Sequence, residues 1–264
     1  MGRLRSGYAV QRWHRKPYQR GWTVGAAERR ALRLAAYQKL VEDRPHLFTN
    51  PDDAPFRILL DPAVQNQVAD AAAASARSQG LPEEFGDIGV VYQDRYVTVV
   101  RDAVLFPPGV PGAHVRICPT SDGIGAAVLP VLEDQRTVLI HHFRHSDRQW
   151  HWEIPRGFGE PGEKGDSTAR REVEEELGCP VRELVHLGAM EADSGMAATR
   201  TELYLARLDE ARFRLTPSGE ATREGISTVR AVDRVTLEEM LVQGQITDSF
   251  TLSALAFARV RGRL

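Results

Sequence analysis

The spacing of apolar residues changes character once along the chain. Through about residue 86 the apolar positions are mostly small and fall at helical spacing. Leu32, Ala35, Ala36, Lys39 and Leu40 keep to one face and predict a helix from Ala26 to Val41. Arg44-Pro45 ends it, because a residue before proline is pushed out of helical geometry. After the turn cluster Asn50–Pro55, Asp61 and Pro62 have the chemistry of an N-cap and first helical position. They predict an alanine-rich helix to about Arg77, stopped at Gly80. From Ile88 the runs are β-branched and aromatic. Val90–Tyr92, Tyr96–Val100 and His114–Cys118 read as strands, interrupted by Pro107-Pro108-Gly109. Further strands are expected over Ile124–Leu132, Thr137–Phe143, Val181–Met190, Thr201–Ala206 and Ile226–Val232. Helices are expected over Asp166–Leu177, Thr236–Gln243 and Asp248–Arg261. The pattern divides the chain into a mostly helical, basic N-terminal extension, residues 1–86, and an α/β domain, residues 87–264.

Composition narrows the class without naming a function. Of 264 residues, 42% are hydrophobic and 27% charged, which is ordinary for a globular protein. Lys and Arg total 34 against 36 Asp and Glu, so the formal charge of −2 offers no global attraction for nucleic acid or an acidic membrane. No apolar run approaches the ~20 residues of a membrane-spanning helix. Two cysteines, Cys118 and Cys179, are no disulfide framework, and a reducing cytoplasm is the expected compartment. The basic N-terminus has no apolar stretch behind it, unlike a secretory signal. Its first twenty residues hold Arg3, Arg5, Arg12, Arg15, Lys16 and Arg20 with no acid, interleaved with Tyr8, Trp13 and Tyr18, and Trp22 follows. That leaves open a nucleic-acid or protein contact, which nothing else in the pattern supports.

The chemistry concentrates after Gly157, in GFGEPGEKGDSTARREVEEELGC. Glu172, Glu175 and Glu176 fall at i, i+3 and i+4 of the expected helix and share a face. Three carboxylates on one face repel one another unless a cation sits among them, and hard oxygen donors suit Mg²⁺ or Mn²⁺. A solvated acidic helix face is the alternative for this string taken alone. His141, His142, His145 and His151 are close in sequence but lack a convincing zinc ligand set.

Gly157, Glu163, Arg171-Glu172-Val173, Glu175-Glu176 and Gly178 stand in the spacing G-x5-E-x7-R-E-U-x-E-E-x-G-U, where U is aliphatic. This resembles the Nudix hydrolase signature, with Cys179 at the last U a mild departure. Val90–Tyr92, Arg95–Val97, Arg101-Asp102, His142-Phe143-Arg144, Trp152–Gly157 and Ile246–Leu252 are similar to segments of the ADP-ribose pyrophosphatase group. The likeness spans about residues 88–260. It implies an α/β/α Nudix sandwich with a mixed sheet, and metal-dependent hydrolysis of a diphosphate linkage in a small nucleotide, ADP-ribose or a related nucleotide sugar.

Carried onto this chain, the resemblance makes Glu172, Glu175 and Glu176 the metal-binding carboxylates, joined by the backbone carbonyl of Arg156. Arg171 holds them, and Glu163 orients the set from outside it. A further carboxylate that takes the water proton or completes the metal shell aligns with Glu224, and Glu220 is the second choice. Arg144 is placed to hold a substrate phosphate, Trp150 to stack on a base or sugar, and Glu153 to support the site, whereas Trp152 reads as core. A homodimer exchanging the strands within Tyr92–Phe106 is also implied. Asp193-Ser194-Gly195 replaces the usual Ser-Pro-Gly segment, and Thr199 stands where relatives often have glutamate. These departures bear on the substrate. Dinucleotides, nucleoside triphosphates and capped RNA stay open, as does a Nudix fold used as a ligand sensor or partner-binding module.

Overall fold

The computed structural model describes residues 25–264, so the basic and aromatic positions of the N-terminal arm lie outside the described residues. Packing divides the chain into two units, Met1–Thr120 and Ser121–Leu264. Within the first unit the strands that follow residue 86 pair with one another and with a short strand from the helical region.

In the first unit, α1 (Ala26–Asp43) buries Leu34 and Tyr37 and stops at Arg44, ahead of a 3-10 turn at Pro45–Phe48. A short strand, β1 (Arg57–Ile58), precedes α2 (Pro62–Ser78). The Asp61 carboxylate caps α2 by accepting from the Ala63 and Val64 amides at 2.7 and 3.3 Å. Three antiparallel strands follow, β2 (Gly89–Gln93), β3 (Val97–Phe106) and β4 (Val110–Pro119). β4 runs along one edge of β3, and β2 and β1 pair with the remainder. Most of the Tyr92–Phe106 segment is therefore paired within one chain. Leu34, Val68, Ala69, Ile88 and Ala103 make a small core.

The same unit holds a buried charge. Asp102 is 1% exposed and accepts from the Tyr37 hydroxyl and from two nitrogens of Arg116. Arg116 also donates to the Leu47 carbonyl at 2.9 Å and lies over the Phe48 ring. Burial, followed by Asp102, raises the Tyr37 hydroxyl far above its ordinary pKa.

The second unit alternates strands and helices: β5 (Gly125–Val131), β6 (Thr137–Arg144), β7 (Gln149–Glu153), β8 (Arg156–Gly157), α3 (Gly165–Leu177), β9 (Val181–Met190), β10 (Thr201–Leu208), α4 (Gly219–Glu224), β11 (Ile226–Val232), α5 (Arg234–Val242) and α6 (Ser249–Val260). Its sheet is mixed, in the order β11-β6-β5-β10-β9, with β10 parallel to β5 and the other pairings antiparallel. β5 is buried on both faces, as its unbroken apolar run requires of a central strand. Ala126 and Val128 pack with Ala169, Val173 and Leu177 of α3. Ala127 and Leu129 pack with Leu237 of α5 and Ala254 and Leu255 of α6. The result is the α/β/α sandwich with a mixed sheet expected from the resemblance. Among the described residues no helix is long and apolar enough to cross a membrane.

One departure from a regular sheet creates the site. β5 and β6 pair only at Val131 and Thr137, beside their connecting turn. Beyond it β7 pairs with β6 and β8 with β5, so the segment carrying both short strands fills the gap between them. The Val128 amide donates to the Pro155 carbonyl at 2.9 Å inside that gap.

Replacing Asp102 by alanine would strand the Arg116 guanidinium and the Tyr37 hydroxyl in the first unit. The expected loss in chemical denaturation is about 3 kcal/mol, against about 1 kcal/mol for Tyr37→Phe, which removes one hydrogen bond. Equal stability of Asp102→Ala and wild type would show that this buried pair does not hold the unit together.

Candidate active site

Strand alternation sorts the side chains near α3. In the β6–β7 register, Ile140 faces Glu153, His142 faces His151 and Arg144 faces Gln149. Ile140 packs into the core beneath α3, so Glu153, His142 and Arg144 share the α3 side of the sheet. The opposite side takes His141, Phe143, Trp150 and Trp152. There His141 stacks on both tryptophans at centroid distances of 4.8 and 4.6 Å, and Trp152 packs on the second core. Trp150, read from the sequence as a base-stacking residue, is thus on the face away from the acidic helix.

The loop before α3 is tied to residues 121–124. The Ser121 hydroxyl donates to the Gly159 carbonyl, the Ile124 amide to the Glu163 carbonyl, and Thr168 on α3 to the Ile124 carbonyl, at 2.9–3.0 Å. α3 ends at Gly178 in the left-handed conformation, with its amide bonded to the Glu174 carbonyl. The start and stop of α3 therefore lie close to their expected positions.

A cation does sit among the three helix carboxylates, and it belongs to the chain. Arg171 Nη1 donates to Glu172 Oε1 and Glu175 Oε2, both at 2.7 Å. Its Nε and Nη2 reach the Glu163 carboxylate at 3.2 and 3.0 Å, and Nη2 also donates to the Phe158 carbonyl. Burial opposes charge on Arg171, but Glu163 and Glu172 outweigh it and raise its pKa. Burial likewise pushes Glu163 up, while Arg171 and the Glu160 amide bring it below its ordinary value.

Glu172 and Glu176 are less well compensated. Burial raises Glu172 to about 7, against the pull of Arg171. Glu176 is 2% exposed, and its Oε2 is buried without a hydrogen-bond partner. Burial and then Glu172 push it well above the ordinary carboxylate range. Glu224 adds to the repulsion felt by both, and its own carboxylate is exposed at the end of α4. Glu220 is exposed in the first turn of α4.

The opposite wall is basic. Glu153 is fully buried and takes two bonds from Arg144, one of them Nε to Oε2 at 3.2 Å. Its burial favours the acid, but His142 and Arg144 outweigh that and lower its pKa. Arg156 Nη2 lies 3.3 Å from Asp248 and 3.8 Å from Glu153, and its guanidinium lies over Phe250. Gly157 has the complementary role on the α3 side. A Cβ there would stand 2.0 Å from Glu172 Oε1, so the missing side chain is the space that the Glu172 carboxylate occupies.

Residues 122–250 match the family model of the NUDIX domain. That stretch of the chain is a Nudix domain. Two curated relatives are similar over parts of their length. One is the CMP-5'-(N-acetyl-N-hydroxy-3-aminopropyl)phosphonate hydrolase of Streptomyces rubellomurinus, 32% identical over 118 residues, 44% of this chain and 55% of the relative. The other is the ADP-ribose pyrophosphatase of Bacillus subtilis, 34% identical over 80 residues, 30% of this chain and 43% of the relative. The chain thus spans about half the length of these relatives. A solved structure described as an ADP compounds hydrolase shares the fold, with a TM-score of 0.54 and 18% identity, covering 66% of this chain and 93% of its own.

The Nudix signature positions Glu163, Arg171, Glu172, Glu175 and Glu176 converge on one guanidinium or its immediate neighbourhood, and Gly157 opens the space beside them. Among the described residues no three His, Cys, Asp or Glu side chains already form a metal-ligand group. At Glu172 and Glu175, Arg171 engages one oxygen of each. Three features escaped the reading of the sequence. α4 lies between the strands expected over Thr201–Ala206 and Ile226–Val232, where no helix was expected, so Glu224 ends a helix; Ser218, whose hydroxyl caps it, and Gly225, which stops it, were the available signals. Asp248, at the N-cap of α6, receives Arg156. His142, given no role of its own beyond the zinc candidates and a family-like segment, faces Glu153 on one side and the Glu224 carbonyl on the other.

The raised Glu172 pKa has a signed consequence. A carboxyl raised from 4.5 to about 7 in the folded state favours folding when protonated, and that contribution is lost as pH rises through this window. In metal-free buffer, Glu172→Gln is expected to gain stability relative to wild type from pH 4.5 to pH 8. A stability difference independent of pH, measured by denaturant titration, would contradict the burial argument.

Proposed function

We propose that this protein is a divalent-metal-dependent Nudix hydrolase that cleaves the diphosphate linkage of a nucleoside-diphosphate derivative, with ADP-ribose or a related nucleotide sugar the first choice. The observation that carries the reading is the pair of buried carboxylates, Glu172 and Glu176, with Glu176 Oε2 unpartnered. Buried anions of this kind require compensation, and an all-oxygen donor set fits Mg²⁺ or Mn²⁺. Glu172, Glu175 and Glu176 would hold the ion, with the Arg156 carbonyl as a further donor. When bound, such an ion neutralises diphosphate charge and lowers the pKa of the attacking water.

The chain's own residues supply the remainder. Arg171 separates Glu172 from Glu175 and fixes both, and Glu163 holds Arg171 from its far side. Arg144, bound to the Glu153 carboxylate, presents a cation on the wall facing α3 and would hold a phosphate. Glu224, exposed at the end of α4, would accept the proton of the attacking water or complete the metal shell. Water oxygen bonds to phosphorus as the bridging P–O bond breaks, releasing a nucleoside monophosphate and a sugar phosphate. The resemblance supports a homodimer, and the two free cysteines support a reducing cytoplasm.

One observation favours a second reading of the substrate. The longer of the two sequence matches is to an enzyme named for a CMP-linked phosphonate, and Asp193-Ser194-Gly195 departs from the ADP-ribose pattern. A nucleotide joined to a group other than a sugar is therefore the alternative.

Steady-state kinetics on ADP-ribose, GDP-mannose, UDP-glucose, NADH, a CMP-linked phosphonate, diadenosine polyphosphates and nucleoside triphosphates, with Mg²⁺ or Mn²⁺, test the substrate. A higher kcat/KM for a diphosphate sugar than for every other compound is expected. Glu175→Gln and Glu176→Gln should each lower turnover at least ~10²-fold while the protein stays folded, because each removes a charge that holds the ion. Near-wild-type turnover by both would overturn the assignment of the site.

A further inference from the structure

α4 is a six-residue helix, and its two ends are held by different parts of the site. At its start, the Ser218 hydroxyl donates to the Glu175 carbonyl of α3 and accepts from the Ala221 amide at 3.0 Å. At its end, His142 Nε2 lies 3.1 Å from the Glu224 carbonyl, and the Phe143 amide donates to the Gly225 carbonyl at 3.1 Å. A carbonyl only accepts, so Nε2 carries the proton in this bond. The last carbonyls of a helix have no partner within it. The His142 imidazole therefore supplies what the end of α4 lacks.

The surroundings of His142 fix its ring. It is 6% exposed, and Nδ1 lies 3.1 Å from Glu153 Oε1, without the alignment of a hydrogen bond. Glu153 is in turn bound by Arg144. Gly225 approaches from the other side with φ +100°, and a Cβ there would stand 3.8 Å from His142 Cδ2 and 3.4 Å from the Phe143 carbonyl. The β11–β6 register then shifts between Ile226 and Thr228, so regular pairing does not by itself fix the turn that carries Glu224.

We infer that His142 is a positioning residue for Glu224: its Nε2–H holds the last carbonyl of α4 and thereby fixes the end of the helix that carries the Glu224 carboxylate. The inference rests on the hydrolase reading for its kinetic consequence. Its effect on metal binding can be read without turnover.

The test uses the full chain and two polar substitutions of similar size. In His142→Gln the amide nitrogen can reach the Nε2 position, whereas in His142→Asn it reaches only the Nδ1 position. His142→Asn is expected to lower kcat ~10- to 100-fold with little change in KM, the size of effect seen when a reacting group is slightly misplaced. His142→Gln should restore most of that loss. Glu224→Gln should match His142→Asn, and the double variant should be no worse than Glu224→Gln alone, because both substitutions remove one function. Calorimetric titration with Mn²⁺ should show weaker binding in His142→Asn and Glu224→Gln, and wild-type binding in His142→Gln. Equal defects in the Gln and Asn variants, or additive losses in the double variant, would overturn the proposal. If wild type hydrolyses nothing in the panel, the hydrolase reading fails, and the Mn²⁺ titrations alone decide the positioning role. Mn²⁺ binding weakened by Glu224→Gln but untouched by His142→Asn would then refute it.

Discussion

Burying carboxylates in an apolar sandwich is the constraint around which the second unit is arranged. Glu153, Glu172 and Glu176 are all buried in a unit whose central strand is apolar on both faces. An ionised carboxylate taken from water costs several kcal/mol unless cations and hydrogen bonds compensate it. Arg144 compensates Glu153, and Arg171 compensates Glu172 together with the partly exposed Glu175 and Glu163. Glu176 receives no such bond at Oε2. The electrostatic demand of the site is concentrated there, and the donors around it are oxygen atoms.

The fold makes this arrangement accessible by interrupting its own sheet. If β5 and β6 paired along their length, no chain would run between them to carry Glu153 and Gly157 to the α3 side. Their separation beyond Val131 and Thr137 admits β7 and β8. The glycine at the end of that segment leaves room for Glu172, and Glu153 fixes Arg144 a short distance away. Interruption of a ladder costs hydrogen bonds, and here they are recovered within the inserted segment, as between Val128 and Pro155.

Arg171 has two consequences. It relieves the repulsion that three acidic residues on one helix face would otherwise impose, so α3 can form before any ion binds. It also engages an oxygen of Glu172 and of Glu175, which leaves their other oxygens available on the same helix. The signature arginine thus stabilises the helix and orients the two carboxylates through a single group.

The local chemistry of the chain determined much of this. Asp61-Pro62 and Gly178 fixed helix ends where their side chains or backbone freedom allow little else, and the apolar run through Val128 placed a central strand. The spacing of Glu172, Glu175 and Glu176 put them on one helical face, because that depends only on the period of the helix. Tertiary structure decided what lies across from them. Which face Trp150 takes depends on the register of β7 against β6, where a shift of one residue exchanges the two sides. That Glu224 ends a helix, with its carbonyl held by His142, depends on contacts between residues 82 positions apart. The strands after residue 86 joined the helical region because β1, too short to stand out by periodicity, found its partner in β3. Short elements and distant pairings carry little local free energy of their own, so only the assembled core selects them.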